Sequence, residues 1–141
     1  MQRRDFLRTS SSSCLAATSV GFLSTLLNSC SAPPMLDAAV TDHRIAIPLS
    51  ALGQSDLHII RPVGLLFDIA LHRDGTGNYR AFVLQCTHAS TQLTPTGDGY
   101  SCPAHGSTFD AEGRVTRGPA QLPLREFPAN PSGDMIVIRL T

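Results

Sequence analysis

From His43 to the C-terminus, apolar residues recur at about every second position, and the runs are broken by clusters of Gly, Pro and Asp. That period belongs to half-buried strands rather than to helices. It predicts strands over His43–Leu49, Gly64–His72, Tyr79–Gln85, Arg114–Arg117 and Asp134–Leu140. In the last of these, Ile136, Ile138 and Leu140 share one face while Met135, Val137 and Arg139 share the other. The run Arg73-Asp74-Gly75-Thr76-Gly77-Asn78 reads as a hairpin connection of the longer kind. Nothing between 41 and 141 keeps a helical period for three turns, apart from one short turn near Leu49–Asp56, and no internal repeat is visible. The expected architecture is all-β, a small antiparallel sandwich or barrel.

Composition agrees with this pattern. A chain of 141 residues with 42% hydrophobic and 16% charged residues can bury one core. Eleven Gly, ten Pro and only 6% aromatics fit a turn-rich β-domain. Eleven Arg, with no Lys, balance eleven acidic residues, which excludes a basic nucleic-acid surface as the main theme.

The first thirty residues read as an address. A basic start, Arg3-Arg4-Asp5-Phe6-Leu7-Arg8, is followed by the uncharged stretch Thr9–Ser29, the shape of an export signal. The Arg pair with the following Phe-Leu resembles the twin-arginine signal, which exports folded proteins across the bacterial inner membrane. Leu27-Asn28-Ser29-Cys30 resembles a lipobox, with Cys30 as the lipidated residue. Two rivals stand beside lipidation, an uncleaved anchor and cleavage after Ala32. The stretch is long enough to span a bilayer, yet seven Ser and three Thr make it a poor span. The expected organisation is a signal over 1–30, a flexible tether over 31–41 and a domain over 42–141. The expected location is the outer face of the inner membrane, attached through the N-terminus. Without residues 1–29 the chain keeps eight basic and ten acidic residues, a net charge of −2.

The chemistry lies between Cys86 and His105. Cys86-Thr87-His88 is followed, thirteen residues later, by Cys102-Pro103-Ala104-His105. Each arm offers one thiolate and one imidazole, soft or borderline ligands for a metal. Structural zinc sites usually place paired Cys in one arm and paired His in the other. An arrangement with one of each per arm suits a two-iron cluster in which both Cys hold one iron and both His the other. A mononuclear zinc or iron site is the competing reading.

Cys86-Thr87-His88-Ala89-Ser90 and Cys102-Pro103-Ala104-His105-Gly106-Ser107-Thr108-Phe109-Asp110 resemble the two boxes of the Rieske [2Fe–2S] domain. Gly118-Pro119-Ala120-Gln121-Leu122-Pro123-Leu124 resembles the proline loop that covers the cluster in that family. The resemblance covers about the last hundred residues. It implies a Rieske-type sandwich or barrel with a smaller cluster-binding subdomain at about 84–123. It also implies one [2Fe–2S] cluster per chain, with Cys86 and Cys102 on the inner iron and His88 and His105 on the outer, solvent-facing one. Gly106, Ser107, Phe109 and Pro119 stand around that cluster by the same resemblance.

The departures are informative. The quinol-oxidising branch carries an extra Cys in each box, joined as a disulfide; Thr91 and Ala104 occupy those positions here. Oxygenase-type Rieske domains and the small subunit of arsenite oxidase are similar in lacking it. Ser107 matches the hydroxyl that donates to a cluster sulfide in the high-potential branch, whereas Phe109 replaces the Tyr that assists it. One donor kept and one lost implies an intermediate potential within roughly −150 to +300 mV. His88 and His105 also imply that reduction takes up a proton above their oxidised-state pKa.

His43, His58 and His72 read as ordinary surface or core positions, and Asp68, Asp98 and Asp110 as single carboxylates, Asp98-Gly99 in a turn. No nucleotide loop, Ser-His-Asp arrangement or facial-triad site is visible, and the chain is too short to hold an oxygenase catalytic domain as well. The leading expectation is an exported one-electron transfer protein with redox-protein donor and acceptor. The alternatives are a subunit of a quinol–cytochrome or arsenite-oxidase-like redox complex and a zinc-stabilised binding module with no redox role.

Overall fold

The computed structural model describes residues 32–141; the signal at Arg3-Arg4 and the lipobox at Cys30 lie outside the described residues. Eleven strands follow one another: β1 Met35–Ala38, β2 Arg44–Pro48, β3 Leu57–Pro62, β4 Ile69–Arg73, β5 Tyr79–Val83, β6 Thr94–Pro95, β7 Gly99–Ser101, β8 Thr108–Asp110, β9 Val115–Arg117, β10 Glu126–Ser132 and β11 Met135–Arg139. Seven form one sheet in the order β1-β3-β4-β5-β10-β11-β2, and β6-β7-β8-β9 form a second, inserted between β5 and β10. The ends of the large sheet, β1 and β2, approach each other, so it nearly closes into a barrel. Among the described residues the only helix is the single turn Leu49–Ala51, which meets the expectation near Leu49. No helix there is long and apolar enough to cross a membrane.

Two cores share the large sheet. Ile45, Ile47, Ile60, Ile69, Leu71, Ile136 and Ile138 fill the inside of the near-barrel, all almost fully buried. Ile59, Ala70 and Phe82 point the other way and pack against Leu84, Leu93, Tyr100, Phe109 and Leu124 under the small sheet. β3, β4 and β5 are therefore covered on both faces, and such strands read as continuous apolar runs rather than alternation. The period-two reading accordingly misses Leu57–Pro62 and begins the next strand too early. Gly64–Asp68 is a loop before β4, with Leu66 92% exposed.

The proline-bearing strand β10 also escapes a pattern search. Its first half, Glu126–Ala129, pairs with β5 and its second half, Ala129–Ser132, with β11. Pro128 and Pro131 each lie in a half with one partner, leaving an open side for the missing N–H donor.

The tether expected over 31–41 is corrected. Met35–Ala38 forms a strand paired in parallel with Ile59–Pro62, and Ala38 is buried. Leu36 and Ala38 pack against the near-barrel core, while Met35 stays exposed, and parallel pairing with β3 seats the segment at the sheet edge.

Candidate metal centre

Two loops project from the same end of the small sheet. The first is closed at its base by the Leu93 N–H donating to the Leu84 carbonyl at 2.8 Å and by the Gln85–Gln92 bridge. Gln92 Oε1 accepts from the Asp68 N–H, tying that base to the β3–β4 loop. The second connects β7 to β8. Within them the backbone repeats one motif. The Cys86 N–H donates to Thr91 O at 2.8 Å, and the Ser90 N–H to Cys86 O at 2.9 Å. The Cys102 N–H donates to Ser107 O at 2.8 Å, and the Gly106 N–H to Cys102 O at 3.0 Å. The fourth residue after each Cys takes a left-handed conformation, Ser90 at φ 47° and Gly106 at φ 74°. Gly adopts it freely, whereas Ser pays a backbone penalty of about 1 kcal/mol.

Each loop places its Cys inward and its His outward. Cys86 and Cys102 are 1% exposed free thiols, packed with Leu93, Phe109 and Leu124. His88 and His105 are exposed, with ring centroids 5.2 Å apart and planes at 84°. Burial pushes the Cys86 thiol up, but the N–H groups of His88 and Ala89, with the Cys102 thiol and Ser107 hydroxyl, more than offset it, so the thiol titrates below its ordinary value. Such donors stabilise a thiolate, the form that ligates metal. Among the described residues no three His, Cys, Asp or Glu side chains converge closely enough to hold one metal ion. The donors instead form a buried sulfur pair beneath an exposed imidazole pair, a set that fits a cluster of two irons better than a single ion.

The remaining residues named from the sequence fall around this pair. Ser107 is 1% exposed, and its Oγ accepts from the Ala120 N–H at 3.0 Å. The same hydroxyl is among the groups that hold the Cys86 thiol below its ordinary value. Phe109 is buried under the loops opposite Tyr100 in the β7–β8 pair. Pro119 follows a cis peptide bond at Gly118 and stays exposed on the loop 118–124. Two contacts escape sequence reasoning: the Ser107–Ala120 bond and the Thr87 hydroxyl donating to Leu122 O at 2.7 Å. They pin the proline loop to both Cys loops. No residue-type pattern signals them, because both partners are backbone groups.

The other candidates lie elsewhere. His43 sits in the turn Thr41–Arg44, and His72 is on β4. His58 is buried on β3, and its pKa is lowered by burial, partly countered by a hydrogen bond with the Leu52 backbone. Asp68 and Asp110 are paired with Arg61 and Arg114.

A family model described as the Rieske [2Fe-2S] domain matches residues 49–128. The cytochrome b6-f complex iron-sulfur subunit 2 of Nostoc is 36% identical over 72 residues, covering 50% of this chain and 40% of that protein. The mitochondrial Rieske subunit of the cytochrome b-c1 complex of Rattus norvegicus is 45% identical over 60 residues, 38% of this chain and 21% of that one. The chain thus spans less than half the length of these relatives. A solved complex of reduced oxygenase and oxidised ferredoxin in carbazole 1,9a-dioxygenase shares the fold, at TM-score 0.52 and 22% identity over 71% of this chain and 95% of that one. The paired loops, their buried thiols and outward imidazoles, and the family match over more than half of its length make this chain a member of the Rieske [2Fe–2S] domain family, with one [2Fe–2S] cluster as its cofactor.

Proposed function

We propose that the chain is an exported one-electron carrier, held at the outer face of the inner membrane by its N-terminus, with Cys86, Cys102, His88 and His105 as the cluster ligands. The observation that carries this reading is the matched pair of loops, which sets two buried thiols beneath two exposed imidazole edges. When bound, a [2Fe–2S] cluster takes up and releases one electron at a time. The chain's own residues provide the rest. Cys86 and Cys102 hold negative charge in a pocket from which Leu93, Phe109 and Leu124 exclude water. The His88 and Ala89 N–H groups and the Ser107 hydroxyl spread that charge. His88 and His105 present ring edges to solvent, where a partner can dock.

A second reading, a subunit of a membrane redox complex, is favoured by relatives that are themselves subunits of cytochrome b6-f and b-c1 complexes. Thr91 and Ala104 weigh against the quinol-oxidising version, since neither can form the inter-loop disulfide.

The test is an EPR spectrum of the purified, dithionite-reduced full-length chain, with iron and sulfide content. A rhombic signal with average g below the free-electron value, and iron and sulfide in equal amounts, is expected. A silent spectrum with one zinc per chain refutes the reading. Mass spectrometry of the mature N-terminus checks Cys30: an intact N-terminus or an unmodified Cys30 refutes lipidation.

A further inference from the structure

The end of the molecule that carries His88 and His105 has an unusual charge distribution. Between Leu84 and Gln92, between Ser101 and Phe109, and between Gly118 and Leu124 there is no Asp, Glu or Arg, and the chain has no Lys. The two residues that bracket the proline loop, by contrast, are both Arg. Arg117 ends β9 opposite Thr108, directly beside the second Cys loop. The Arg125 carbonyl accepts from the Val83 N–H, three residues before Cys86, so this Arg stands at the base of the first loop.

Most other arginines are already used. Arg61, Arg73, Arg80 and Arg114 pair with Asp68, Asp56, Glu126 and Asp110. Among the described residues Arg117 and Arg125 are exposed and have no carboxylate partner; the same holds for Arg44 and Arg139, but these face each other across β2 and β11 and do not bracket the proline loop. Arg125 is held over the Phe127 ring at 4.8 Å, which orders its guanidinium without neutralising it. Beside it lies an apolar groove of about 310 Å³ lined by Leu65, Leu66, Val83, Gln85 and Phe127. On the tip itself Leu122 is 66% exposed. The result is a neutral, partly apolar face with a positive rim, on a domain whose net charge is −2.

We propose that this end docks a redox protein whose own cofactor edge is neutral and ringed by carboxylates, and that Arg117 and Arg125 select it. The inference rests on the preceding reading, in which the electron leaves past His88 and His105. Complementary charge at a rim acts chiefly on encounter rate and on rejecting wrong partners. The apolar groove and Leu122 give such a partner area to cover, which a small anion cannot use. A partner with a basic face is repelled by the same two residues, even though the chain as a whole is weakly acidic.

The test uses full-length holoprotein, reduced and then mixed by stopped flow with ferricyanide or with tris(phenanthroline)cobalt(III). Ferricyanide oxidation is expected to slow roughly threefold or more from about 0.02 to about 0.5 M salt, while oxidation by the cationic complex speeds up. The variant R117E/R125E should invert both trends, and R117K/R125K should keep them. A second readout needs no electron transfer: the redox-inert anion hexacyanochromate(III) should broaden the amide NMR signals of Arg117, Leu122 and Arg125. It should spare those of Thr76 and Gly133, in turns at the far ends of β4 and β11. Ferricyanide oxidation that speeds up with salt, following the net charge, overturns the proposal. So does hexacyanochromate contact at the two arginines without a salt effect on oxidation. A preparation without the EPR signal refutes the site reading itself, an outcome separate from these.

Discussion

Replacing Ser107 by Ala tests how this centre is tuned. Ser107 is 1% exposed and its hydroxyl plays two parts, accepting from the Ala120 N–H at 3.0 Å and helping to hold the Cys86 thiol below its ordinary value. Losing the acceptor leaves a buried N–H at Ala120 without a partner, a cost of about 1–3 kcal/mol. Losing the donor removes a hydrogen bond to a charged sulfur, in total worth about 1.5–3 kcal/mol. The reduced centre carries the extra negative charge, so the bond is stronger there and its loss must lower the potential. If about half of that energy distinguishes the two redox states, the midpoint falls by roughly 30–60 mV, since a tenfold change is about 59 mV for one electron. Protein-film voltammetry and denaturant unfolding of Ser107→Ala read the two effects separately. The contrast is Thr87→Val, which removes only the latch to Leu122 O. It should cost about 0.5–1.5 kcal/mol and leave the potential nearly in place. A Ser107→Ala protein that is destabilised but keeps its midpoint potential would refute the reasoning and reduce Ser107 to a structural peg.

Other outcomes follow from the same geometry. Cys86→Ser should lose iron and sulfide and loosen both loops, read as lost visible absorbance and a lower Tm; retention of iron at the wild-type ratio would contradict the ligand assignment. Gly99→Ala should disrupt the β7–β8 pair, because the added Cβ runs into the Phe109 carbonyl, whereas Gly97→Ala meets open space; equal Tm values for the two would be the contrary result. Burial holds the His58 pKa below its ordinary 6.5. The unfolded chain therefore binds a proton on acidification before the folded one does. The stability His58 contributes is present above pH 6.5 and is lost as pH falls toward the folded-state pKa. The pH dependence of unfolding should be flatter for His58→Gln over that window; parallel curves would count against it.

The sequence alone determined the chemistry and the class of fold. Ligand types and their spacing are local along the chain, so Cys86-Thr87-His88 and Cys102-Pro103-Ala104-His105 could be found without coordinates. Alternation likewise exposed the strands with one face to solvent, Arg44–Pro48 and Met135–Arg139. Tertiary structure decided what depends on contacts distant in sequence. Leu57–Pro62 is a strand buried on both faces, and Glu126–Ser132 accepts two prolines because it changes partner midway. Met35–Ala38 joins a sheet where a tether was expected, since pairing with Ile59–Pro62 leaves no local signature. At the centre, the four side chains proposed as ligands could be picked out from the sequence. How they are held could not be, because Ala120 N–H and Leu122 O are backbone groups that every residue possesses, and only the folded chain sets them against Ser107 and Thr87.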